Sequence, residues 1–186
     1  MDGTAVTLNH DQLNQLSVQT HFTGDEVRGR YNAFLKDFSE GYISQRAFID
    51  TYRKAFPVAQ PDDVQRYAYY MFNAYDIDGD GEISFTDYML TLSVSERGTI
   101  DEKLRWAFSM YDINGDGQVS LKEATEILTS IHRLRGRGDR GTAERVARRI
   151  FRALDVNGDG LLSEAEFVVG AKDDPAIMDM LQGDSW

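Results

Sequence analysis

The stretch D-I-D-G-D-G-E-I-S-F-T-D, Asp76 to Asp87, decides how this chain is to be read. It returns as D-I-N-G-D-G-Q-V-S-L-K-E from Asp112 to Glu123, and as D-V-N-G-D-G-L-L-S-E-A-E from Asp155 to Glu166. Each copy places an oxygen-bearing side chain at positions one, three and five and a carboxylate at twelve. Glycine stands at six, an apolar residue at eight and serine at nine. A hard divalent cation takes roughly six to eight oxygens, so a short loop must turn those side chains inward. The sharp turn at position six needs a positive φ, which Gly81, Gly117 and Gly160 supply.

That pattern is the EF-hand calcium loop, and three near-regular copies exclude coincidence. The expected ligands of the first copy are Asp76, Asp78, Asp80 and Asp87, with Glu82 through its carbonyl. In the second they are Asp112, Asn114, Asp116 and Glu123, with Gln118 through its carbonyl. In the third they are Asp155, Asn157, Asp159 and Glu166, with Leu161 through its carbonyl. Ser120 and Ser163 are expected to bind through a water. Asp87 is one methylene shorter than glutamate and tends to offer one oxygen, which suits magnesium at ~2.1 Å better than calcium. Four carboxylates in one cage also repel, at about 3 kcal/mol per pair at ~5 Å and an effective dielectric near 20. The expectation is magnesium at rest in that loop, with weaker calcium exchange.

The same register, followed upstream, finds Gly41 at position six and Ile43 at position eight of a loop from Lys36 to Ala47. Lys36 at one, Phe38 at three and Ala47 at twelve cannot hold a divalent ion. Such a dead hand still has a use, because hands pair through a two-stranded ribbon at position eight, so Ile43 partners Ile83. Helical spacing of apolar residues flanks the loops, as at Tyr67, Tyr70, Met71 and Tyr75. Capping boxes start helices at Thr99 with Glu102, Ser120 with Glu123 and Ser163 with Glu166, and Pro61 suits a first helical turn. The expected fold is all-α: four EF-hands in two paired lobes, the first hand degenerate, with short β-ribbons between paired loops. The expected division is an N-terminal segment 1–21, an N-lobe 22–92, a joint 93–99, a C-lobe 100–172 and a tail 173–186.

The chain has 186 residues and a formal net charge of −11, which argues against nucleic acid as a partner. It has no cysteine, so disulfide and thiol chemistry are absent. No apolar run is long enough to span a bilayer and no signal peptide is evident, so a cytoplasmic protein is expected. Eight of the twenty Lys and Arg residues lie between Arg133 and Arg152. That cluster reads as a solvated linker and helix face, or as a docking patch for an acidic partner or an anionic lipid surface. His10, His21 and His132 are isolated and read as surface or packing residues. No catalytic constellation is present, so an enzyme is not expected.

From Phe34 onward the chain resembles the neuronal calcium sensor family, the recoverin and visinin-like group that includes the potassium-channel-interacting proteins. The resemblance rests on F-L-K-D at Phe34–Asp37, R-G-T at Arg97–Thr99, E-K-L-R-W-A-F-S-M-Y-D at Glu102–Asp112, G-A-K-D-D-P at Gly170–Pro175, and the dead first hand. It implies a calcium sensor that exposes an apolar groove to a helix of a channel, receptor kinase, cyclase or lipid kinase. Two departures stand out. Phe38-Ser39 replaces the family's usual Cys-Pro pair, and Met-Asp-Gly replaces the Met-Gly start that myristoylation requires, so no lipid anchor is expected.

The groove candidates are Phe22, Tyr31, Phe34, Phe48, Tyr52, Phe56, Tyr69, Phe72, Phe85, Tyr88, Met89 and Leu92, although aromatic stripes more often form core. The tail, with Ile177, Met178, Leu181 and Trp186, is read either as a plug for the groove or as a helix packed on the C-lobe. A calcium buffer and a permanent regulatory subunit are the alternative functions.

Overall fold

The computed structural model describes residues 8–136 and 139–182. In chain order the elements are α1 His10–Gln19, α2 Gly24–Asp37, β1 Tyr42–Ser44, α3 Gln45–Ala55, α4 Pro61–Tyr75, β2 Glu82–Ser84 and α5 Phe85–Arg97. Then come α6 Ile100–Tyr111, β3 Gln118–Ser120, α7 Leu121–Leu134, α8 Arg140–Leu154, β4 Leu161–Ser163, α9 Glu164–Asp173 and α10 Pro175–Gln182. The fold is all-α, with four helix–loop–helix hands paired in two lobes. β1 pairs antiparallel with β2, setting Ile43 opposite Ile83, and β3 with β4, setting Val119 opposite Leu162.

Helix starts follow local chemistry. Capping boxes open α6, α7 and α9 at Thr99–Glu102, Ser120–Glu123 and Ser163–Glu166, and Pro61 opens α4. Each cap satisfies backbone N–H groups that a first turn leaves without intrahelical partners. In the dead hand Gly41 keeps its positive φ of 86°, while Phe38 at position three packs against the core, its ring 5.2 Å from Phe34.

Two boundaries differ from the sequence reading, and the structure chooses between the two readings of the tail. The N-terminal segment 1–21 is not separate from the N-lobe: its helix α1 packs on α2 and α5, burying Leu13 and Leu16. Asn9 and Gln12 form its capping box, and the Leu8 N–H donates to the Tyr31 hydroxyl at 2.7 Å. The joint is shorter than 93–99, because α5 runs unbroken to Arg97 and leaves Gly98 and Thr99 between helices. Ser93 is buried there and its Oγ accepts from the His21 N–H at 2.7 Å. A side chain at Gly98 would place Cβ 2.4 Å from the Val94 carbonyl oxygen, which explains glycine at this corner. The tail, finally, forms α10 against α9, with Ile177 buried in the core. Asp174 alone separates the two helices, and α10 lies against α9. Trp186 and the side chain of Leu181 lie outside the described residues.

The lobes share one apolar core that extends from Leu13 to Ile177. α4 packs on α7 and α6, the Tyr75 and Trp106 rings meet edge-on at 6.0 Å, and Arg133 pairs with Asp63 at 3.4 Å. At the corner, Arg97 binds Glu26, donates to the His21 carbonyl at 2.9 Å and lies over the Phe22 ring. His21 Nε2 is 3.3 Å from a Glu102 carboxylate oxygen on α6.

Candidate metal centres

In all three intact loops the backbone folds around the side chain at position one. Asp76 accepts from the N–H groups of Asp80 at 3.1 Å and Gly81 at 2.9 Å. Asp112 does the same for Asp116 at 3.1 Å and Gly117 at 2.9 Å. Asp155 accepts from Gly158 at 2.8 Å and Gly160 at 3.0 Å. Position three is held by position five: Asp78, Asn114 and Asn157 each accept from the backbone N–H two residues on. Position five then accepts from the N–H of Glu82, Gln118 or Leu161, the first residue of each strand. Positive φ at the glycines of positions four and six makes both turns, for example 72° at Gly79 and 89° at Gly81.

The outcome is convergent oxygen. Carboxylate oxygens of Asp76, Asp78 and Asp80 lie within 4.8 Å of one another. In the other two loops asparagine replaces the third carboxylate and its Nδ2 donates to Asp116 or Asp159, each at 2.9 Å. All the side-chain donors suited to the cation are oxygens, which fits calcium or magnesium and not a thiolate- or imidazole-seeking metal.

Position twelve separates the first loop from the others. One oxygen of Glu123 caps α7 by accepting from the Ser120 N–H at 2.8 Å, and the other crosses the loop to the Asn114 N–H at 3.3 Å. Glu166 likewise caps α9 from Ser163 at 3.0 Å and reaches the Val156 N–H at 3.2 Å. Hydrogen bonds from Ser163 hold the Glu166 carboxyl below the usual carboxylate range. Asp87 reaches only its cap, taking bonds from the Ser84 N–H at 3.0 Å and Ser84 Oγ at 2.5 Å. Burial pushes the Asp87 carboxyl up, the Ser84 bonds oppose this, and Asp78 and Asp76 add repulsion. The Ser84–Asp87 capping box was legible as S-x-x-D, with aspartate in the glutamate position.

Of the groove candidates, Phe22, Tyr31, Phe34, Phe48, Phe72, Phe85 and Met89 are buried, while Tyr52, Phe56, Tyr88 and Leu92 are half-buried. They form two ring clusters. Phe85 lies 4.9 Å from Tyr31 and 5.3 Å from Phe34, which is 5.4 Å from Tyr88. Phe48 lies 4.9 Å from Tyr52 and 5.7 Å from Phe72, and Tyr52 is 6.2 Å from Phe56. Tyr69 stands apart, exposed beside Tyr70. His10 bonds Asn14, and His132 on α7 is half-buried, where burial pushes its pKa down.

Loops of this geometry between helices define a calcium-binding EF-hand protein. Residues 101–172 match the EF-hand domain pair family, and residues 71–90 match the EF hand family. Neuronal calcium sensor 1 of Lymnaea stagnalis is 34% identical over 97% of this chain and 96% of its own length. Neuronal calcium sensor 1 of Aplysia californica is 36% identical over the same shares. S-modulin of Aquarana catesbeiana is 32% identical over 68% of this chain and 61% of its own. The chain belongs to the neuronal calcium sensor family. No helix among the described residues is long and apolar enough to cross a membrane.

Proposed function

We propose that the chain is a cytoplasmic calcium sensor that loads three loops and regulates a target protein by seating an amphipathic helix of that target in an apolar groove of the N-lobe. One observation carries this reading: the residue at position twelve of each loop is also the capping residue of the helix that leaves it. A cation that pulls on Asp87, Glu123 or Glu166 therefore pulls on the first turn of α5, α7 or α9. In a sensor, charge neutralisation at such a residue becomes a change of interhelical angle.

In the N-lobe the consequence falls on aromatic rings. Phe85 and Tyr88 ride on α5, while Tyr31 and Phe34 ride on α2. Rotation of α5 about the loop would part these rings and expose their apolar faces to a target helix. The ligand set is Asp76, Asp78, Asp80, Asp87 and the Glu82 carbonyl, then Asp112, Asn114, Asp116, Glu123 and the Gln118 carbonyl. The third is Asp155, Asn157, Asp159, Glu166 and the Leu161 carbonyl. Magnesium occupies the first site at rest, because Asp87 brings one oxygen where Glu123 and Glu166 span their loops. By resemblance the target is a channel, receptor kinase, cyclase or lipid kinase.

Fluorescence of an apolar-surface dye, followed during calcium titration at about millimolar magnesium, tests the reading. A saturable rise between roughly 10⁻⁷ and 10⁻⁵ M calcium is expected. A flat trace, with calcium uptake established by calorimetry, would make the protein a buffer.

A further inference from the structure

Helix α8 carries charge at odds with the rest of the chain. The protein has a net charge of −11, yet residues 100–172 hold twelve Lys and Arg against twelve Asp and Glu. On α8 the side chains of Ala143, Ala147, Ile150, Phe151 and Leu154 are buried. At ~100° per residue, Arg145, Arg148, Arg149 and Arg152 fall within one arc of about 100° on the opposite side, and all four are exposed. No carboxylate stands inside that arc. Glu144 at its margin is paired with Arg148 at 2.7 Å, and Arg145 reaches the Thr142 hydroxyl at 2.9 Å. Among the described residues, Arg149 and Arg152 meet no carboxylate at ion-pairing distance. The helix dipole favours Arg152 in the last turn, but it does little for Arg145 and Arg148 further back.

The arc ends in a cleft of about 290 Å³ with Leu121 and Phe151 as its apolar floor. Arg148 and Arg152 line one side of it and Asp155 and Gly160 another. Asp155 is position one of the last metal loop. One cleft thus sets Arg152, and Arg148 with its Glu144 partner, beside a loop carboxylate that opposes an incoming anion. Asp155 and the two arginines line the same cleft, so a change of charge at the loop acts on the surface that would receive the anion.

We propose that the arginine face of α8 docks the protein on an anionic lipid bilayer, and that calcium in the C-lobe loops strengthens the docking by cancelling neighbouring negative charge. The calcium part rests on the metal sites proposed above. Two divalent ions add four positive charges to a half of the molecule that is otherwise balanced. A bilayer fits better than an acidic peptide, because the face is the convex outer side of a single helix and offers no groove of peptide length. Fluid headgroups meet such a face without needing a matched register.

Co-sedimentation of the full chain with phosphatidylcholine vesicles containing about 30% phosphatidylserine tests this, at ~0.1 M salt in calcium and in chelator. The wild type should bind these vesicles and not pure phosphatidylcholine, with partition about tenfold stronger in calcium. Arg149→Glu with Arg152→Glu should lose about tenfold or more of that partition. Arg53→Glu with Lys54→Glu, an equal charge change on exposed residues of α3, should bind better than the α8 pair. Equal partition by the two paired variants would overturn the proposal, as would an acidic peptide that binds the α8 face when vesicles do not. Equal partition in calcium and chelator, with calorimetry showing calcium bound, would overturn the calcium linkage. Calorimetry showing no calcium bound would instead overturn the metal sites on which that linkage rests.

Discussion

Asp87 shows how much one methylene can decide. Its carboxylate caps α5 and stops there, whereas Glu123 and Glu166 cap their helices and also reach the entering side of their loops. Asp87→Glu should restore that reach and raise calcium affinity at the first site by about tenfold, with a weaker preference for magnesium. Competition calorimetry would read this, and an unchanged ion preference would refute the role given to Asp87. Glu26 is the second residue of consequence. Arg97 and the Thr23 cap hold its carboxyl down to about 2 from an ordinary 4.5. A lowered carboxylate pKa stabilises the fold fully above the unfolded value and loses that effect as pH falls through the folded one. Glu26→Gln should therefore lower the melting temperature at pH 6 in chelator and converge with the wild type near pH 2. Parallel melting curves across that range would contradict this.

At the scale of elements, the metal-binding hands were legible because their chemistry is local. Ligand spacing, turn glycines and caps all fall within twelve residues, so each hand could be read without its neighbours. α1 was harder. Its capping pair Asn9–Gln12 and its apolar Leu13 and Leu16 are visible in the chain, but two apolar residues do not distinguish a docked helix from a leader. What makes α1 an element is the surface of α2 and α5 that receives it. Leu16 is 3% exposed, so Leu16→Ala should cost about 2–5 kcal/mol, read by denaturant unfolding of the metal-free protein. A loss below about 0.5 kcal/mol would mean that α1 contributes no stability by docking. The end of α5 follows the same logic. Polar residues from Ser93 onward suggest a joint, yet Ser93 is buried against the His21 backbone and the helix persists to Gly98, where a side chain would strike the Val94 carbonyl.

For the whole molecule, the interface between lobes matters more than the two-lobe description suggests. α4 lies on α6 and α7, and the buried side chains of both lobes form one core. The metal-free protein should accordingly unfold in one cooperative step, with calorimetric and van't Hoff enthalpies equal. Two resolved transitions would show that the lobes are energetically separate.

The chain by itself determined its oxygen-lined loops, the pairing of hands at position eight, as at Ile43–Ile83, and the helix starts at Pro61, Thr99, Ser120 and Ser163. These depend on residues close in sequence or on a repeated register. Only the tertiary structure decided that α1 belongs to the N-lobe, that α10 lies on α9, and that Arg97, Glu26, His21 and Glu102 gather at the corner between lobes. It likewise settled which face of α8 stays free of acid. Those arrangements depend on contacts between residues far apart in the chain, and no local spacing encodes which of two exposed apolar or charged faces will find a partner.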